Sequence, residues 1–328
     1  MSKSKGLPTL LKRVGGLSLA SAVIVSIISR ESEKKWNFNF DPTFNHPLEF
    51  NFPNNDSQKV ERLVVDNKDG AKLAVTVVEG VSPTVVFSHG WTENQNVWAP
   101  VVNSLVEKGQ RIVVYDHQGH GQSTIGNSPL DVNRLALDLK EIYETLQIDE
   151  SVLVGHSMGG MTAQTFIVNY PEMRSKVKGL VLVATTSRAA FGPEWFYDLS
   201  ELVCGRTVFT NLMRDKKMGP RLVRFAVGRD PAISHLKATS KMASEASPKA
   251  RGELAKRMRD LDLTKALNEI DLPASVMVGT MDRLTPIRCA KEINKNLKNS
   301  TLVVLQDKGH MLPFEAPKEI FGQIEDLL

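Results

Sequence analysis

The sequence predicts an α/β protein: a mostly parallel, eight-stranded sheet with helices on both faces and one helical insertion. Three observations predict it. Short apolar runs alternate with segments of helical spacing from Val60 to the C-terminus. The alternation breaks once, between Thr185 and Asp271, where helical candidates follow one another without a convincing strand. One apolar run ends abruptly in Gly155-His156-Ser157-Met158-Gly159-Gly160, the form of a sharp strand-to-helix turn that exposes a serine.

In chain order, Val60–Asp66 and Lys72–Glu79 alternate well enough for two strands joined through Asp69-Gly70. Thr84–Ser88, Arg111–Tyr115, Ser151–Val154, Val177–Ala184, Ala274–Val278 and Thr301–Leu305 read as short continuous apolar strands, buried on both faces. Helical spacing fills Val97–Glu107, Asp131–Leu146, Met158–Asn169, Ile287–Leu297 and Lys318–Leu327. The insertion, at about 188–262, offers Glu194–Val203, Arg206–Met213, Pro220–Phe225, Ile233–Ala246 and Pro248–Met258. Ligands of open parallel sheets bind at the carboxyl edge of the strands, so an insertion there is expected to act as a lid.

The 328 residues suffice for one large domain with an insertion, expected over 59–328. A net charge of +4 is too small and too diffuse to argue for nucleic acid. Two cysteines, Cys204 and Cys289, cannot make a disulfide framework. No CxxC, HExxH or carboxylate cluster with metal-ligand spacing is present, so neither a metal nor another cofactor is implied.

Residues 1–30 differ from the rest. Lys3, Lys5, Lys12 and Arg13 precede an apolar run from Val14 to Ser29, with no Asp or Glu among them. The pattern reads as an uncleaved signal anchor or a secretion signal, with the membrane as a partner, although a spanning helix needs about 17–25 residues. Ala20-Ser21-Ala22 lies inside the apolar run, which argues against cleavage there. Residues 31–58, rich in Asn, Pro and Phe, read as a linker or arm, with Phe38, Phe40, Phe44 and Phe50 to dock it.

A serine nucleophile needs a base, an acid to orient the base, and N–H donors for the developing oxyanion. Ser157 is the candidate nucleophile; an ordinary Gly-rich turn is the plainer reading of the same residues. His310, just after the final strand, is the candidate base among seven histidines. Asp282, after Ala274–Val278, is the candidate acid; Asp307 competes but sits too near His310 in sequence to reach its far nitrogen. Met158 N–H and Trp91 N–H are the candidate oxyanion donors, with Gly90 letting that loop turn. His89 is expected to be structural. Gly90, His156, Trp195 and Phe196 are placed against the substrate, and Tyr197, Met213 and Phe225 add to an apolar lid. Asp116 to Ser123 is a Gly-rich loop without P-loop or dinucleotide spacing, and is expected to be a tight turn beside the pocket.

Four blocks in this order, His89-Gly90-Trp91, Asp116 to Ser123, Gly155 to Gly160, and Asp282 with His310, resemble the α/β-hydrolase superfamily over about residues 60–328. The nearest likeness is to bacterial esterases and cofactor-free haloperoxidases. The resemblance implies a Ser157–His310–Asp282 triad with an oxyanion hole at Met158 and Trp91, and so cleavage of a small ester or related acyl compound through an acyl-enzyme; the lid residues Trp195, Phe196, Tyr197, Met213 and Phe225 suggest that its acyl or leaving group is apolar. A serine at the nucleophile position argues against epoxide hydrolases and haloalkane dehalogenases, which use a carboxylate. Carboxylesterase or lipase, thioesterase, C–C bond hydrolase and perhydrolase share the triad and stay open. A non-catalytic module that captures a small apolar ligand is the reading from another class.

Overall fold

Eight strands form one sheet in the order β1-β2-β4-β3-β5-β6-β7-β8. They are β1 Val60–Asp66, β2 Lys72–Val78, β3 Val81–Ser88, β4 Gln110–Tyr115, β5 Ser151–His156, β6 Val177–Val183, β7 Ala274–Gly279 and β8 Ser300–Leu305. Only β2 runs antiparallel to both its neighbours; from β4 to β8 all pairs are parallel. This computed structural model describes residues 59–190 and 194–328, without the side chains of Glu194 and Phe196. The expected anchor and arm, residues 1–58, lie outside the described residues. Among the described residues no helix is long and apolar enough to cross a membrane.

The central strands β4, β3, β5, β6 and β7 are apolar on both faces because helices cover both faces. These helices are α1 Ala99–Glu107, α2 Val132–Thr145, α3 Met158–Asn169, α9 Ile287–Asn296 and α11 Pro317–Glu325. Asp131, read from sequence as helical, is instead the N-cap of α2, its carboxylate accepting Arg134 N–H at 2.8 Å. Helix α11 begins at Pro317, where the missing N–H costs nothing. A short helix, α10 Leu312–Glu315, precedes it.

Two strands depart from expectation. β3 starts at Val81, not Thr84: Val81 N–H bonds Gly109 O at 2.9 Å, yet its side chain is exposed, so burial leaves no mark in the sequence. β8 was expected to be buried on both faces. It has one strand neighbour, at the sheet edge, and Val304 is exposed.

The insertion between β6 and β7 is helical, as expected: α4 Glu194–Cys204, α5 Thr207–Arg214, α6 Met218–Leu222, α7 Ile233–Glu245 and α8 Pro248–Arg257. One buried guanidinium joins these helices. Arg251, on α8, donates through Nε to Cys204 O at 3.0 Å and through Nη1 to Ala243 O at 3.2 Å and to Ala246 O. Its Nη2 reaches Thr210 Oγ1 at 2.7 Å, and the Phe209 ring lies 4.8 Å beneath the guanidinium. Among the described residues no carboxylate pairs with it. The C-terminal carbonyls of α4 and α7 stand in for one, because helix ends carry partial negative charge. Burial pulls the Arg251 pKa below its ordinary value.

Arg251→Met keeps the volume but leaves several buried carbonyls unpaired, so denaturant unfolding should show a loss of about 3 kcal/mol. Arg251→Lys should recover little of it, since an ammonium cannot reproduce the planar fork.

Candidate active site

At the carboxyl end of β5 the chain turns through Ser157, whose φ of 52° and ψ of −118° put a non-glycine residue in the sparsely populated left-handed region. The packing around it enforces the turn. A Cβ on Gly159 would lie 2.1 Å from Ser88 O, and one on Gly155 would lie 2.5 Å from Gly159 O, so only glycine fits at either place. Ser157 N–H bonds Val183 O at 2.9 Å, and Thr185 Oγ1 donates to Ser157 O at 2.6 Å.

Two loops from the same sheet edge meet this serine. His310 follows β8, and its Nε2 stands 3.0 Å from Ser157 Oγ. Asp282 follows β7, and its Oδ2 lies 2.9 Å from His310 Nδ1. Facing a carboxylate, Nδ1 carries the ring proton, which leaves Nε2 free to accept from the hydroxyl. Asp282 Oδ1 accepts Leu284 N–H and Thr285 N–H, each at 2.8 Å, and Oδ2 accepts Thr285 Oγ1–H at 2.8 Å. Burial would raise the Asp282 pKa, but the facing His310 ring and the hydrogen bonds from it and from Thr285 hold it below the ordinary value. Asp307, the competing acid, instead pairs with Arg229 at 2.9 Å.

Met158 is the first residue of α3, and Trp91 lies in the loop after β3. Among the described residues neither backbone N–H donates to a protein acceptor, so both are free for a ligand oxygen. Trp91 Nε1 bonds Arg251 O at 3.1 Å, tying this loop to the insertion.

His156 does not face a substrate. It is fully buried, with Nδ1 3.0 Å from the Glu93 carboxylate and Nε2 2.9 Å from His310 O. Both ring nitrogens meet acceptors, so both carry protons and the ring is an imidazolium. Burial opposes that charge, but Glu93 raises the His156 pKa, and His156 in turn lowers that of Glu93. Glu93 also accepts Gly90 N–H at 2.6 Å. One ion pair therefore joins the Gly90–Trp91 loop to the backbone of His310. Sequence reasoning missed Glu93, whose only signal is an acid three residues past a turn glycine. Gly90 is buried, and a Cβ there would press within 2.8 Å of that carboxylate.

Of the aromatics expected to wall the pocket, Trp195 is 63% exposed on α4, and Phe225 is also exposed. Tyr197 and Met213 are buried in the insertion. The side chain of Phe196 lies outside the described residues.

The Asp116–Ser123 loop is the expected tight turn. Asp116 accepts Gln95 N–H at 2.8 Å and Gln122 N–H at 2.9 Å, and a Cβ on Gly121 (φ 50°) would collide with that carboxylate. It carries His117 and His120 against His89, all fully buried. His89 is structural, as expected: Nδ1–H donates to Gly90 O at 2.8 Å and Nε2 accepts His117 N–H at 3.0 Å. Burial drives all three pKa values down, to about 4 for His89, about 3 for His120, and well below the ordinary value for His117.

Residues 83–317 match the family described as the alpha/beta hydrolase fold. The chain belongs to that family. One relative, the non-heme chloroperoxidase of Burkholderia pyrrocinia, is 28% identical over 240 residues, which span 69% of this chain and 84% of that protein. The pimeloyl-[acyl-carrier protein] methyl ester esterase of Pseudoalteromonas atlantica is 28% identical over 254 residues, 74% of this chain and 92% of that protein. Among solved structures, an esterase from Exiguobacterium antarcticum superposes with a TM-score of 0.68 at 24% identity, covering 81% of this chain and 99% of that one. That likeness bears on the fold alone. The loops that carry Ser157, His310 and Asp282 thus meet within hydrogen-bond reach.

The buried histidines set a pH prediction. His89, His117 and His120 take up protons in the unfolded chain near 6.5 but not in the folded one, so stability falls as pH drops from about 6.5 toward 4, by ~1.4 kcal/mol per unit for each. His156 has the opposite sign: its contribution is full below 6.5 and is lost as pH rises through its raised folded value. Thermal unfolding across pH should show both limbs. His156→Gln should keep the acid limb, lose the alkaline one, and be destabilised at neutral pH. An unchanged alkaline limb would refute the charged state of His156.

Proposed function

We propose that this protein is a serine hydrolase that cleaves a carboxylic ester or related acyl compound through an acyl-enzyme on Ser157. The observation that carries the reading is the continuous relay Ser157 Oγ, His310, Asp282, with heavy-atom separations of 3.0 and 2.9 Å. In this reading Ser157 Oγ attacks the acyl carbon and its proton passes to His310 Nε2. Asp282 balances the imidazolium that results, and it stays ionised because its pKa is depressed. The oxyanion forms against the N–H groups of Met158 and Trp91. The leaving alkoxide takes the His310 proton, and water, deprotonated by His310, releases the acid.

A second reading is favoured by the chloroperoxidase relative: hydrogen peroxide replaces water at deacylation, and the acyl group leaves as a peracid on the same triad. A C–C bond hydrolase uses the same residues. A ligand-capturing module without turnover is disfavoured by a triad with every member in bonding distance. The helical insertion serves as a lid over the site, supported by the Trp91–Arg251 bond and by Ala226 O accepting His310 N–H at 2.7 Å. An apolar substrate fits its composition.

A fluorophosphonate probe should label the folded protein at Ser157, and Ser157→Ala should abolish both labelling and ester turnover, with a loss of about 10⁴-fold or more. Label that persists in that variant would overturn the assignment. A screen over acyl chain length, with and without peroxide, sorts the substrate readings.

We further infer that residues 1–30 hold the protein at a membrane, supported by basic residues ahead of the apolar run. Fractionation of a chain lacking residues 1–30 tests this: membrane association that survives the deletion overturns it.

A further inference from the structure

The insertion carries an exposed face that the proposed reaction does not use. Helix α5 buries Thr210 and Met213 and turns Val208, Asn211 and Leu212 outward, one stripe at i, i+3 and i+4. Helix α6 buries Gly219 and Pro220 and leaves Met218 and Arg221 exposed; in the turn of helix after it, Val223 and Ala226 are buried and Phe225 is exposed. Both α5 and α6 pack on α7, so their other sides face away from the body of the insertion. Val208 is 65% exposed, Leu212 and Met218 41%, and Phe225 40%, more than a solvated surface needs over so short a stretch.

The charge of this stretch is as one-sided as its exposure. From Arg206 to Arg229 the chain carries seven Lys or Arg and one acid, Asp215. The whole chain nets only +4, so the residues outside this stretch together are slightly negative. Arg214, Lys216, Lys217 and Arg221 are exposed, and among the described residues none of them forms an ion pair. The single acid is occupied, its Oδ1 accepting Lys217 N–H at 2.9 Å and Met218 N–H at 2.7 Å.

We propose that the outer face of α5, α6 and the turn after them docks on an anionic phospholipid surface. Basic side chains meet the headgroups while Val208, Leu212, Met218 and Phe225 enter the acyl boundary, the division of labour of an interfacial amphipathic segment. The charge pattern selects this occupant. A second copy of the same face would bring like charges together, and a nucleic acid would leave four large apolar side chains unused. Because the insertion also reaches His310 and Trp91, docking would set it between lipid and the catalytic edge.

The test is co-sedimentation of the chain without residues 1–30, so that the inferred anchor contributes nothing, with mixed phosphatidylserine and phosphatidylcholine vesicles and with phosphatidylcholine alone. The expected result is binding to the mixed vesicles that salt weakens. Arg214→Gln/Lys217→Gln/Arg221→Gln should bind them about a hundredfold less, at roughly fivefold per basic residue. Leu212→Ser/Phe225→Ser should weaken the same binding, and both variants should melt as the unchanged protein does. Ser157→Ala should bind as the unchanged protein does, which separates docking from the catalytic reading. Equal partitioning of the basic-residue variant would overturn the proposal and assign lipid contact to another face of the domain. Tighter binding to duplex DNA than to the vesicles, or a dimer lost in either variant, would overturn it too.

Discussion

The site depends on one steric constraint, the contact between the first turn of α3 and the end of β3. Gly159 lies so close to Ser88 O that any side chain would force helix and strand apart. That closeness holds Ser157 at positive φ and leaves Met158 N–H at the open end of a helix. The parallel register does the rest. Ser88 pairs with Gly155, and Gly155 with Leu182, so the loops bearing Trp91, Ser157 and Thr185 leave the sheet at one level. β7 and β8 end at Gly279 and Leu305 in mutual register, which brings the loops of Asp282 and His310 to the same edge.

His310 is then fixed from two sides. Asp282 holds the ring of His310 through Nδ1, while His156 holds its backbone carbonyl. The second hold is a buried ion pair, and such pairs repay their desolvation only when every remaining lone pair and proton is satisfied. Here His156 has both ring protons placed, and Glu93 accepts from Gly90 as well. The charge of His156 is therefore matched within the site by Glu93.

Much of this was legible in the residues, for identifiable reasons. Buried parallel strands announce themselves because both faces must be apolar, and the elbow announces itself because no residue but glycine survives at 155 and 159. The loops of His310 and Asp282 follow from chain order once the elbow is granted. What was not legible depended on contacts between distant segments. His156 looked substrate-facing because the sequence does not show that Glu93 and the His310 carbonyl close over its two nitrogens. Trp195 looked like a pocket wall because an aromatic on a helical insertion is equally consistent with either face. The edge position of β8 was hidden by an apolar run indistinguishable from a central strand. Arg251 carried no signal at all, since its partners are carbonyls contributed by segments from Cys204 to Ala246.

That guanidinium bears on how the insertion moves. Three helices and a hydroxyl from a fourth share one cation, so no one of them can swing away without stranding the others' carbonyls in a dry interior. The free energies of local opening should be nearly equal along α4, α5, α7 and α8, a single cooperative unit in amide exchange in place of a gradient from tip to base. In the proposed lid role, access to Ser157 would then be governed by the two segments that enter and leave the insertion, residues 185–190 and 261–273, bending around a body that keeps its shape.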